Sequence, residues 1–375
     1  MFISDRVGWV SACHRCIITA QATKSPCALA PRSRMKKSAL SAFHLASFLA
    51  GVALFVYLIR QTGLATLAQY VAMMGLGGSS LILTLSAVRN CVRAGSWYFS
   101  IEPSQRGITF WSLINAMLAG EAIKYLTATG PLVSEPAKAA MVRRQVPLLH
   151  GFSSVVVENL IYYLTAFIVM FAGLPALVFL AEVPGDLKLA GFALLGAIAI
   201  AVTAAWLVIR WKAYVLARGL EQLVKFSARR VSDDAAPNRI ASLARKVRQV
   251  EENLYTFYER RRGAFYLIFW LNMGSHFINV IEVYLILALM KLPATLLNGF
   301  LIEAVTKVIN LVFFFVPTRA GVYESGNALL LQALGMSAAA GVALAIIRKL
   351  RAFVWVGYGL GVIGIMALQK NTDKN

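Results

Sequence analysis

Six apolar runs, at residues 39–59, 71–88, 153–175, 188–210, 263–290 and 338–368, come close to the ~20 residues a helix needs to cross a bilayer. Each reads as a full transmembrane span. Hydrophobic residues make up 59% of the 375 and charged residues only 14%, with a mean hydropathy of +0.67. An ordinary soluble domain carries roughly a quarter charged residues. A soluble enzyme is therefore excluded, and the chain reads as an all-α polytopic membrane protein.

Its charge is distributed between those runs. The 37 Lys and Arg outnumber the 17 Asp and Glu, for a net +20. A nucleic-acid partner is not expected, because the basic residues flank apolar segments instead of forming one basic face. The positive-inside rule accounts for them better. It places both termini, the segment with Arg89, Arg93 and Arg106, and the polar stretch 211–262, with its twelve Lys and Arg, in the cytoplasm. The loop with Glu182 and Asp186 is then external.

Residues 1–38 are polar and basic and lack the apolar core of a secretory signal, so they are expected to be disordered. Met35-Lys36-Lys37 directly before an apolar run reads as a natural start, which would make the preceding residues a mis-called extension. Cys13-His14-Arg15-Cys16 has a metal-like spacing but no second ligand pair, and no metal or cofactor is expected. The domain reading is thus a basic N-terminus (1–38), a first membrane half (39–210), a cytoplasmic basic amphipathic segment (211–262), a second membrane half (263–368) and a tail (369–375).

Two further apolar stretches do not read as simple spans. Phe110 to Thr129 meets Pro131 and then a half-polar helix from Glu135-Pro136-Ala137-Lys138, with Pro136 in its first turn, to Arg143-Arg144. Ala294 to Val316 meets Pro317 and runs through Thr318-Arg319-Ala320-Gly321 to another short helix near Glu324. Both are expected to be re-entrant hairpins, at 110–150 and 294–335. Non-helical backbone at membrane depth is tolerated only where it is buried in protein or lines a cavity. Glu121, Lys124, Pro131, Glu135 and Gly151 parallel Glu303, Lys307, Pro317, Glu324 and Gly335. Three spans separate the two sets, so the copies enter from opposite faces: an inverted repeat, with substrate expected where broken helices meet.

Charge inside apolar sequence marks the candidate site. Arg348, Lys349 and Arg351 lie within the last span, where each cation costs roughly 2.5–3.5 kcal/mol or more unless it faces a cavity or partner. Arg348 and Arg351 share a face with Trp355. A shorter span, 352–368, with the cations in an interfacial loop, explains the same residues. Arg319, beside a proline-marked break and Gly321, is placed to reinforce an anion site at the next helix N-terminus, and Glu135 and Lys138 play the matching part in the first hairpin. Headgroup binding is assigned to Arg319, Glu324, Arg348, Lys349, Arg351, Glu135 and Lys138. Glu121, Lys124, Glu158, His276, Glu303 and Lys307 are assigned to a polar cavity wall, with His276 read first as a helix–helix hydrogen-bonding group beside Asn272 and Asn279. Ion pairs that merely make the hairpins tolerable explain their carboxylates equally well.

At these residues the chain resembles the transmembrane region of the lysylphosphatidylglycerol synthase family, flippase-like proteins that include hopanoid-biosynthesis-associated members. Pro317 to Glu324 is similar to the family's proline, arginine, glycine and glutamate signature. Glu135 to Ala139, leading to Arg143-Arg144, is similar to the first signature, and Arg89, Arg93 and Trp97 to its basic-tryptophan element. The chain departs in having Leu132-Val133-Ser134 where the first signature carries an arginine. The resemblance, over about residues 36–368, implies a lipid translocase in the bacterial inner membrane that moves an anionic or modified lipid. The alternative is a non-transporting accessory protein that presents lipid to a biosynthetic enzyme. It does not imply synthesis: the family's catalytic domain is a soluble C-terminal module, the chain ends seven residues after Leu368, and no phosphate-binding loop or metal-protease motif occurs.

Overall fold

The structure, a computed structural model, describes residues 63–127, 130–180, 235–314 and 316–372, with scattered positions at 53–60 and 189–222. These residues belong to one compact unit, His44–Asn375. The readings of residues 1–38, of Cys13 and Cys16, of the start at Met35 and of the loop at Glu182 and Asp186 lie outside the described residues, as do most of the span 39–59 and about half of 188–210.

Every regular element among the described residues is helical. α1 is Leu64–Ser100, α2 Phe110–Leu126, α3 Pro131–Met141 and α4 Leu148–Leu180. The amphipathic α5, Ala235–Arg260, leads into α6, Arg262–Leu289, followed by α7 Leu296–Val312, α8 Val322–Ala333 and α9 Ala338–Thr372. Four of these, α1, α4, α6 and α9, contain windows long and apolar enough to cross a membrane. They coincide with the expected spans 71–88, 153–175, 263–290 and 338–368. Their outer faces carry exposed Leu81, Ile168, Phe277 and Val354.

The helices α1–α4 and α6–α9 form two sets of like order. In each set a long helix is followed by a 17-residue helix with a threonine N-cap, a break, a helix of 11 or 12 residues and another long helix. Thr109 accepts the Ser112 N–H at 3.3 Å and Thr295 the Asn298 N–H at 3.0 Å, each satisfying one of the donors a helix start leaves free. Packing is reciprocal as well. α1 lies along α6, α9 packs on α2 as α4 packs on α7, and α9 touches α1 as α4 touches α6.

Three boundaries differ from expectation. α1 does not end near residue 88 but continues to Ser100, interrupted only at Gly75, so Arg89 and Arg93 are helical and not loop cations. A buried face at Ile82, Ser86, Asn90 and Trp97 carries the helical period through them. α3 starts at Pro131, whose fixed φ suits the first helical position, and this leaves Pro136 in the helix interior instead of the first turn. Gly151 and Gly335 are not equivalent. Gly151 lies inside α4, whereas Gly335, at φ 77°, stops α8, its N–H bonding to Gln332 O while the Met336 N–H bonds to Leu331 O.

The end of α1 meets the start of α6. Arg106 donates to the carbonyls of Phe99 (3.3 Å) and Ile101 (3.1 Å), and Arg261 to that of Phe99 at 2.8 Å. Carbonyls freed at a helix C-terminus carry partial negative charge, so these cations are favourably placed. Burial first, and the Arg106 cation second, lower the pKa of Arg261.

Candidate functional site

A cavity of about 440 Å³ opens between the two helix sets. Its volume is in the range of small-molecule sites. Charged and aromatic side chains make one part of the wall, and Phe167, Met170, Leu311 and Phe314 make an apolar part.

Two ionic networks surround it. In the first, Arg93 pairs with Glu158 at 3.2 Å and with Glu121 at 3.5 Å, and Glu121 also receives Lys124 and Lys138 at 3.6 Å. Lys138 turns its ammonium to Glu135 at 3.2 Å, and Asn159 donates to the same carboxylate at 2.8 Å. In the second, Glu303 accepts Lys307 at 2.8 Å, Arg348 at 2.9 Å and Asn279 at 3.0 Å. Arg351 pairs with Glu282, and Lys349 with Glu324. Tyr162 joins the two, with Arg93 over its ring at 4.4 Å and Lys307 donating to its hydroxyl at 3.2 Å. Such pairing is what makes buried charge tolerable at membrane depth.

The expected residues therefore divide. Arg319, Arg348, Lys349, Arg351, Glu121, Lys124, Glu303 and Lys307 line the cavity. Glu135, Lys138 and Glu158 sit behind it, around a void of only about 10 Å³ beside Arg93 and Trp97. His276 is buried outside the lining, with Nε2 3.1 Å from the Thr165 hydroxyl, in the helix-joining role read for it. Glu324 is fully buried and accepts the Gly321 N–H at 2.8 Å. The start of α8 is thus capped by its own carboxylate, so the Gly321 N–H is not free for an external anion. Arg348, Lys349 and Arg351 stand on the helix α9 and not in a loop, and all three are held by carboxylates.

Two guanidiniums are not so held. Arg319 has no carboxylate in ion-pair range among the described residues, and its Nε is buried without a hydrogen-bond partner. It projects from a tight turn, Pro317–Arg319, in which Thr318 and Arg319 have φ of 52° and 49°. Left-handed backbone costs a β-branched residue roughly 1–2 kcal/mol, so surrounding structure holds this turn in place. Arg89 donates to Asn279 at 2.8 Å and to Asn90 at 3.3 Å but likewise lacks a carboxylate, and its Nε is unbonded. Arg89 and Arg93 are cavity residues that the run-length reading of the second span hides, and Tyr162, on α4 within the span 153–175, is a third. The four-residue step from Arg89 to Arg93 to Trp97 was the available signal.

With this geometry, the chain belongs to the family Lysylphosphatidylglycerol synthase TM region, whose model matches residues 44–361. No curated protein and no solved structure matches the chain.

Proposed function

We propose that the protein is a flippase-like lipid translocase of the bacterial inner membrane, with the cavity receiving an anionic headgroup while acyl chains stay along its apolar wall. One observation carries this reading: a cavity otherwise closed by matched ion pairs presents two unmatched guanidiniums, Arg89 and Arg319, next to an apolar surface. Arginine forks bind phosphate oxygens bidentately, and a mixed polar and apolar wall suits an amphiphile better than a small soluble anion. No covalent step is part of the proposal, and no cofactor.

In this reading six spans carry two re-entrant hairpins, α2–α3 and α7–α8, that enter from opposite faces as an inverted repeat. Helices of 17 residues support it, because at 1.5 Å per residue each reaches about 25 Å, short of the ~30 Å hydrocarbon core. The like order of the two sets and their reciprocal packing support it too. Arg106 and Arg261, at one end of α1 and α6, belong with the basic stretch 211–262 on the cytoplasmic side.

Reconstitution tests the proposal. Purified protein in liposomes is expected to move fluorescent anionic phospholipid between leaflets, measured by dithionite quenching, and Arg319→Ala is expected to slow that movement at least tenfold with the fold retained. Parent protein that moves no lipid, yet holds it, would favour the accessory role of presenting lipid to a biosynthetic enzyme.

A further inference from the structure

Charge balance in the cavity narrows the class of ligand, on the premise that the site takes a lipid. Among the described residues, nine basic side chains and six carboxylates make up the two networks and the unmatched pair, an excess of three positive charges. Seven of the nine contact a carboxylate; Arg89 and Arg319 do not. Both line the same cavity, and both are within electrostatic reach of Glu121. Neither guanidinium has a carboxylate to offset its charge, and the cavity carries a cationic excess, so a ligand that brings negative charge is favoured there.

We propose that the cavity selects lipids whose headgroup ends in a phosphomonoester over phosphodiester lipids, and disfavours headgroups bearing an added amine. A phosphomonoester has three terminal oxygens and close to two negative charges above its second pKa of about 6. A phosphodiester has two free oxygens and one charge. Three terminal oxygens offer a separate O–P–O edge to each of two guanidinium forks lining one cavity, whereas a diester's two free oxygens offer one. An added amine would meet the cationic excess. The carboxylates that line the cavity are already engaged, Glu303 by Lys307 and Arg348 and Glu121 by Arg93, Lys124 and Lys138. Free phosphate shares the headgroup chemistry, but only a lipid also uses the wall of Phe167, Met170, Leu311 and Phe314.

The test titrates full-length protein in a non-ionic detergent at pH 8 with four probes: a diacylglycerol phosphomonoester, phosphatidylglycerol, lysylphosphatidylglycerol and inorganic phosphate. Binding is read as a thermal shift. The phosphomonoester lipid is expected to bind at least about tenfold more tightly than phosphatidylglycerol, with the lysyl form weakest and inorganic phosphate well below the phosphomonoester lipid. Arg319→Gln should bring the first two within about threefold; Arg89→Lys, which keeps the charge but not the fork, should narrow the gap in the same direction and serves if Arg319→Gln does not fold. Equal binding of the two lipids by the parent protein, or tightest binding of the lysyl form, overturns the selectivity and leaves the translocase reading standing. Failure of every lipid to bind, or inorganic phosphate binding as tightly as the phosphomonoester lipid, overturns the lipid premise itself.

Discussion

The α2–α3 and α7–α8 pairs start alike and then diverge at their breaks. In the first, Pro131 begins α3 directly, and the charges that follow, Glu135 and Lys138, turn away from the cavity to satisfy each other beside Glu121. In the second, Pro317 opens a tight turn in left-handed backbone, and Arg319 stays unmatched at the cavity wall. Two helix pairs of like order thus carry a self-satisfied break in one and a cation without a carboxylate in the other. The departure at Leu132-Val133-Ser134, where the family signature has an arginine, lies in the self-satisfied copy. On the proposed reading, recognition of an anion would not require the two breaks to be chemically symmetric, because Arg89 on α1 is a second cavity guanidinium without a carboxylate.

The sharpest way to break this comparison is to remove one partner from each network. Glu303 is 1% exposed in its side chain and Arg348 6%, whereas Glu121 is 35% exposed and its contacts are all 3.5 Å or longer. Arg348→Ala takes one buried cation from Glu303, which keeps Lys307 and Asn279, and from Glu282, which keeps Arg351, and is expected to cost about 3 kcal/mol, the low end for breaking a buried pair. Glu121→Ala is expected to cost about 1 kcal/mol or less, since water screens it and two of its three cations, Arg93 and Lys138, keep Glu158 and Glu135. Thermal unfolding in detergent checks the pair. Arg348→Ala with near-parent stability would return Arg348 to the role of an available ligand and undo the distinction.

Backbone approach gives the next effect. A Cβ at Gly341, on α9, would meet the Asn327 carbonyl of α8, and backbone cannot step aside. A Cβ at Gly120, on α2, would meet the stem of Lys138, a flexible side chain. Gly341→Ala is therefore expected to destabilise by about 1–3 kcal/mol, and Gly120→Ala by less, mainly by shifting Lys138 from Glu121 and Glu135. The same unfolding assay ranks them. A larger loss at Gly120 would mean that the first hairpin is the more tightly packed one.

Much of the architecture is legible without coordinates, and the limit of that legibility is physical. Apolar run length marks α1, α4, α6 and α9, because bilayer thickness imposes it. The prolines and their neighbouring charges mark the breaks, and Arg348, Arg351 and Trp355 share a face as their spacing requires. What spacing within one helix does not contain is the partner on another. Arg348 looks like a free clamp until Glu303 and Glu282, on α7 and α6, are brought to it. Arg89 is hidden for the opposite reason. Its charge suggests the end of a span, while Asn279, far along the chain, gives its guanidinium a partner on α6.

The smallest expected effect tests whether the two sets begin alike. Thr109 and Thr295 are both exposed, and each caps its helix through the backbone N–H three residues on. Replacing an N-cap threonine by alanine costs roughly 0.5–2 kcal/mol, toward the low end where water replaces the lost bond. At Thr109 the Ser112 hydroxyl, 2.8 Å from the threonine oxygen, remains to solvate the helix start, so Thr109→Ala is expected to cost about 0.5 kcal/mol. Thr295 has the shorter cap bond, at 3.0 Å, and no hydroxyl bonded beside it, so Thr295→Ala is expected to cost about 1 kcal/mol. Small losses at both sites, measured by unfolding in detergent and in lipid nanodiscs, place both helix starts at a wet interface, as opposed hairpins require. A loss that rises above about 2 kcal/mol in nanodiscs at one site alone would put that start in hydrocarbon, where nothing replaces the cap, and the two hairpins would no longer be copies in their relation to the membrane.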